Sequence, residues 1–205
     1  MGGEYLQTQD SADTVLTLTS TSNSGRSYQI RSQNSSGEFY IYDNTAGASR
    51  ITVDSNGHVT MPNQPSFRAD KNSTAQNDIG SSAVTVTFGT ERVDTNGDYN
   101  TSNSTFTAPV TGTYVLHYSM RLQAIDSASS YYNVSIETSN KSYNSIFSND
   151  EWAGDVTYWS AERTIVADMD AGDTAYVAIL FIGGAAQTDI SGSTNYTVFQ
   201  GHLLS

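Results

Sequence analysis

The block Phe106-Thr107-Ala108-Pro109-Val110-Thr111-Gly112-Thr113-Tyr114 constrains this chain more than any other feature, together with its counterpart Phe199-Gln200-Gly201-His202-Leu203-Leu204. Pro109 fixes φ and has no backbone donor, so the chain must turn there. Gly112 is free to take the positive φ that would close such a turn. Beyond it Tyr114, Leu116, Tyr118 and Met120 recur at every second residue, the period of a strand with one apolar face. The second segment is a strand so apolar that Phe199, Leu203 and Leu204 are all expected to be buried. Strands of this kind bury their apolar faces against one another, which predicts an all-β sandwich.

The rest of the chain agrees with that reading. Ser, Thr and Asn make up about a third of the 205 residues, and only 15% are charged. Such a balance suits exposed strand faces built from hydroxyls and amides, and no segment carries a long helical period. A net charge of −12 repels phosphate, and no basic patch offsets it, so nucleic acid is not an expected partner. There are no cysteines, which removes disulfides and thiolate metal sites. The longest apolar run, Ala175 to Gly184, is too short to span a membrane. Met1 to Tyr5 has no basic region followed by an apolar one, so no secretory leader is expected.

Three regions follow from the turn signals. Residues 1–12 are polar apart from Tyr5 and Leu6, and read as an arm that docks on another protein. Residues 13–61 hold short β segments separated by Gly25, Gly37, Gly47 and Asn56-Gly57. The Asn-Gly pair is the strongest hairpin signal in the chain. So small a meander cannot bury much apolar surface alone, and copies from neighbouring subunits are expected to complete it. Met61-Pro62-Asn63-Gln64-Pro65 marks a boundary, and residues 62–205 form one domain. Its expected strands begin near residues 66, 83, 105, 112, 131, 143, 156, 174 and 194. Asp168 to Asp173 reads as a hairpin between two of them.

The two blocks quoted first resemble the globular head shared by complement component one, subcomponent q, and the tumour-necrosis-factor superfamily. Phe67 and Ala69, Asp98-Tyr99, and Ala171-Gly172-Asp173 leading into Tyr176-Val177 extend the likeness over residues 65–205. The resemblance implies a ten-stranded jelly roll that assembles as a homotrimer. Phe106, Pro109, Gly112, Tyr114, Phe199, Gly201, Leu203 and Leu204 would then be its fold signature and trimer core. No collagen-like repeat precedes this head. Instead, the stretch Asp43 to Val59 is similar to β segments of bacteriophage fibre and virion-surface proteins.

Catalytic patterns are weak. The three histidines, His58, His117 and His202, lack a Gly-x-Ser-x-Gly elbow or a metal-binding helix around them. Most acidic residues sit in turns, where Asp serves the backbone. Asp94, Asn96 and Asp98 resemble the first half of a calcium loop, but Tyr99 and Thr105 stand where its Gly and Glu belong, so a polar turn is preferred. No cofactor is expected. The resemblance leaves open a calcium ion at a site built by three subunits, without placing it. Trp152, Tyr131, Tyr143 and Tyr158 are the candidate ligand surface, since aromatic faces stack on sugars and anchor protein contacts. The competing reading is that most of these rings fill the core, with Trp152 the one expected to be exposed.

The expected protein is therefore a non-enzymatic, trimeric bacteriophage structural protein, assembled in the host cytoplasm and displayed on the virion surface. One role is capsid decoration, as a cement or head-fibre protein docked on the major capsid protein through the arm. The alternative is a short tail-fibre adhesin joined to a tail component and recognising a host surface glycan. A glycan-degrading tailspike stands third.

Overall fold

A computed structural model describes residues 12–22, 24–149 and 152–205. The proposed docking residues Tyr5 and Leu6 lie outside them. Every element among the described residues is a strand, and the chain divides into two units, residues 1–64 and 65–205.

The first unit is one antiparallel meander of β1 (Thr14–Thr19), β2 (Ser27–Ser32), β3 (Phe39–Asp43), β4 (Ala48–Val53) and β5 (Val59–Thr60), paired in chain order. The hairpin expected at Asn56-Gly57 is present, with Gly57 alone of the pair at positive φ. Asp54 organises this turn, its carboxylate accepting the N–H groups of Asn56 at 2.8 Å and His58 at 2.9 Å. Cross-strand register sorts the side chains into two faces. Leu16, Ile30, Ile41 and Ile51 lie in one row across four strands, with Phe39, Val53 and Val59 in another row on the same face. Arg50 is the extra residue of a bulge between β3 and β4. Its Nη2 reaches Asp43 Oδ2 at 2.7 Å, and Arg26 donates to the same oxygen. The Asp43 side chain is fully buried. The hydrogen bond from Arg50, aided by the Ala46 N–H and by Arg26, holds its carboxyl far below the usual carboxylate range.

The second unit is a jelly-roll sandwich. Its first sheet has the order β14 (Val156–Met169), β11 (Gly112–Ile125), β17 (Val198–Leu203), β6 (Ser66–Asp70), β8 (Thr90–Asp94), with β16 (Asp189–Ile190) also on β11. The second runs β13 (Ser142–Ser148), β12 (Ser129–Thr138), β15 (Thr174–Gly183), β10 (Thr105–Thr107), β9 (Tyr99–Asn100), with β7 (Val84–Thr85) on β15. All pairings are antiparallel. The strand expected from residue 83 shrinks to β7, yet Val86 and Phe88 beyond it stay fully buried. Backbone bonding accounts for this, because Val86 N–H donates to Val177 O and Phe88 N–H to Ser104 Oγ. The strands β8, β9 and β16 were not anticipated.

Between the sheets lies a ring cluster. Phe67 stacks on Phe106 at 4.5 Å and on Tyr99 at 5.2 Å, and Phe199 meets its edge at 5.0 Å. Tyr114, Leu116, Tyr118, Met120 and Leu122 of β11 all point into this core and are fully buried, as their alternation requires. The turn residue Pro109 leads into β11, and Tyr114 Oη donates to Val110 O at 2.7 Å across that turn.

Three local expectations are corrected. Gly112 does not sit at positive φ; a Cβ there would lie 2.6 Å from Ser205 O and 2.7 Å from Leu203 Cδ1, so glycine admits the neighbouring chain. Leu204 is 56% exposed, because alternation puts it with His202 and Gln200 on the outward face. The segment Asp168 to Asp173 is no hairpin: β14 and β15 belong to different sheets, and the turn carries the chain from one to the other. Ala108 braces that crossing, its N–H donating to Asp173 O and its carbonyl accepting Gly172 N–H.

Candidate interaction surface

The acidic turn serves its own backbone. Asp94 Oδ1 accepts the N–H of Gly97 at 3.0 Å and of Asp98 at 2.9 Å, while Oδ2 accepts Tyr99 N–H at 3.0 Å. Asn96 Nδ2 donates to Asp98 Oδ2 at 3.4 Å. Burial, with Asp94 close by, pushes the Asp98 carboxyl upward. Among the described residues, no group of three or more His, Asp or Glu side chains could hold a metal ion.

The four aromatic residues do not gather into one surface. Trp152 is half-buried and packs on Trp159 at 5.1 Å and Phe147 at 6.3 Å, closing one end of the core rather than standing in solvent. Tyr143 faces inward from β13 beside the core, with the Lys141 ammonium 5.2 Å from its ring centre. Tyr131 lies on β12 opposite Ser148 and Ile182, on the outward side of the second sheet. Tyr158 projects from β14 on the outward side of the first sheet and is 57% exposed.

Alternation aims Val115, His117, Ser119, Arg121 and Gln123 outward from β11. Register sets them beside Val166, Thr164 and Tyr158 on β14, and beside His202 and Gln200 on β17. Arg68 and Val93 continue the row across β6 and β8. A shallow groove of about 430 Å³ runs here, lined by Arg68, Val93, Val115, His117, Gln200 and His202 among others. His117 Nδ1 lies 2.9 Å from Thr164 Oγ1 on this open face. At one end the Arg121 guanidinium lies over the Tyr196 ring at 4.0 Å and near Tyr158 at 5.1 Å, with Nη2 donating to Ser191 Oγ at 2.9 Å. The outward side of β13, by contrast, reads Ser142, Asn144, Ile146, Ser148 and is largely polar.

Sequence reasoning missed this surface. Its residues share one face only once strands far apart in the chain pair, although each outward position of β11 follows from the alternation set by Tyr114.

No curated protein matches the chain in sequence. Among solved structures it is similar to the globular domain of zebrafish complement 1qA at 15% identity and TM-score 0.49, covering 69% of this chain and 98% of that one. It is also similar to murine APRIL at 17% identity, with TM-score 0.48 for the structure at pH 5.0 and 0.49 for that at pH 8.5, covering 69% of this chain and 99% of those. Residues 66–204 match the C1q domain, from the first strand of the head through its central strand β17. The chain belongs to the C1q domain family.

Proposed function

We propose that three copies of the head associate through the outward face of the first sheet, and that the trimer is a non-enzymatic structural protein of a bacteriophage particle surface, decorating the capsid. The outward face on which Val93, Val115 and Val166 lie among His117, Gln200 and His202, with its shallow groove, is the observation that carries the association. Val166 and Val93 are about half exposed in the single chain, and paired faces of this kind are what oligomers bury. A binding and structural role is supported by where the chemistry-bearing groups go. The Asp94 carboxylate is taken up by backbone N–H groups, and His117 lies on an open sheet face. The virion setting rests on the likeness of Asp43 to Val59 to phage surface β segments.

A second reading, a short fibre adhesin that binds host glycan, is favoured by the other sheet. There Tyr131, Ile146 and Ile182 share an outward face among hydroxyls and amides, a composition suited to sugar rings. Light scattering of the full chain at micromolar concentration should give the mass of three chains; a monomer overturns the association. Quantifying the protein in purified particles separates the roles. Tens to hundreds of copies support decoration, and a few copies at one vertex support the fibre.

A further inference from the structure

The five-stranded sheet formed by β1 to β5 presents an uncovered apolar face. Leu16, Leu18, Tyr28, Ile30, Phe39 and Val59 are each between a third and two thirds exposed, and Ile41, Ile51 and Val53 fill the spaces among them. An apolar face exposed in this way marks an interaction site. The opposite face carries Thr17, Gln29, Arg31, Tyr40 and Thr52 with one apolar residue, Val15, and there Arg31 pairs with Asp13 and Tyr40 Oη donates to Gln33 Oε1. A sheet with one such face needs a second layer.

We propose that this face is covered by the same face of two further copies of the chain, so that three sheets enclose a common apolar core and form a β stem. The inference rests on the trimeric head, because the head is what holds the copies together. The link from β5 to β6, Met61 to Pro65, extends no more than about 18 Å. Sheets tethered so closely meet at millimolar effective concentration, well above that of any free partner. The face is also suited to meeting itself. Its one carboxylate, Asp43, is shared by Arg26 and Arg50, and the surplus positive charge this leaves on each copy lies on guanidinium groups 46% and 37% exposed, which keep contact with water. The row Leu16, Ile30, Ile41, Ile51 supplies the flat branched side chains that pack between layers about 10 Å apart.

The chain contains no cysteine, so single substitutions report on proximity cleanly. Ile30→Cys and Gln29→Cys place a thiol on the apolar and polar faces of β2 respectively. In the full chain, a bismaleimide spanning about 10 Å should couple Cys-bearing chains of the first variant into covalent dimers and leave the second uncoupled. Equal coupling in both, coupling of the second alone, or coupling in neither, with a trimeric mass retained, overturns the stem and leaves the head association standing. A monomeric mass overturns both. Hydrogen exchange on the unaltered protein guards against misfolding of the variants. Amides of β1 to β5 should be protected, and exchange at unprotected rates overturns the stem.

Discussion

Replacing Lys71 by Met should stabilise the head near neutral pH, and the gain should vanish in alkali. Lys71 is 1% exposed and has no carboxylate partner among the described residues; its Nζ donates to Gln76 Oε1 at 2.7 Å and Thr87 Oγ1 at 2.9 Å. Burial pulls the amine down from its ordinary 10.5 to about 8, a cost of about 3 kcal/mol to the charged form in the folded state. Neither acceptor is stranded by the substitution. Gln76 Oε1 also accepts Thr87 N–H at 2.7 Å, and Thr87 is exposed to water. Losing the two hydrogen bonds returns about 2 kcal/mol, leaving a net gain of about 1 kcal/mol at neutral pH. The sign with pH follows from linkage. Between about pH 8 and 10 the folded amine releases its proton while the unfolded one keeps it, so the native protein gains stability over that window and the variant does not. Above about pH 10 the buried tyrosines Tyr99, Tyr114 and Tyr118, pushed upward by burial, stay neutral while the unfolded chain ionises, and both proteins lose stability. Guanidinium unfolding followed by the fluorescence of Trp152 and Trp159, at fixed protein concentration, measures the gap. A gap of the same size at about pH 7 and pH 9.5, or a variant less stable at neutral pH, refutes the argument.

Gly201→Ala should destabilise the head by at least about 2 kcal/mol, read as a fall in melting temperature, because a Cβ there meets Leu116 Cδ2 at 2.6 Å and the Val115 carbonyl oxygen at 2.9 Å. Backbone oxygen cannot yield, so an unchanged melting temperature would contradict the packing. Asp43→Asn should loosen the N-terminal sheet and leave the head intact, detected as faster amide exchange confined to β1 to β5. With the native residue, the depressed carboxyl contributes stability above the ordinary carboxylate range that is lost as pH falls through its folded value, so the same loosening should appear in acid.

The head was readable in sequence wherever one strand carries its own pattern. Tyr114, Leu116, Tyr118 and Met120 declare an inward face by alternation alone, and Pro109 declares the turn before it. What escaped depends on chain that is distant in sequence. Gly112 is glycine because Ser205 and Leu203 pass beside it, which no local turn rule reveals. A different cause hides Trp152, which sits in a polar loop that looks exposed: the two strands flanking the loop bring Phe147 and Trp159 back to pack against it. Local turn signals at Asp170 and Gly172 mark a reversal without saying which sheet the next strand joins. Thr90 to Asp94 has little apolar patterning, and its pairing with β6 gives it strand structure. The N-terminal faces were implicit in the same alternation, but only the register of four strands shows that Leu16, Ile30, Ile41 and Ile51 make one row.

The strand order β11, β17, β6 has a consequence for how the head is made. The strand β6 opens the head, yet on one side its only ladder partner is β17, and pairs such as Phe67 with Gly201 close nearly the full length of the domain. Closure over such a span is entropically costly and slow. Until it happens β6 and β11 each lack a neighbour, and their backbone donors and acceptors face water. Folding of each head is therefore completed late, after nearly all of the domain has been synthesised, and any partner that recognises the finished sheet is kept waiting until then.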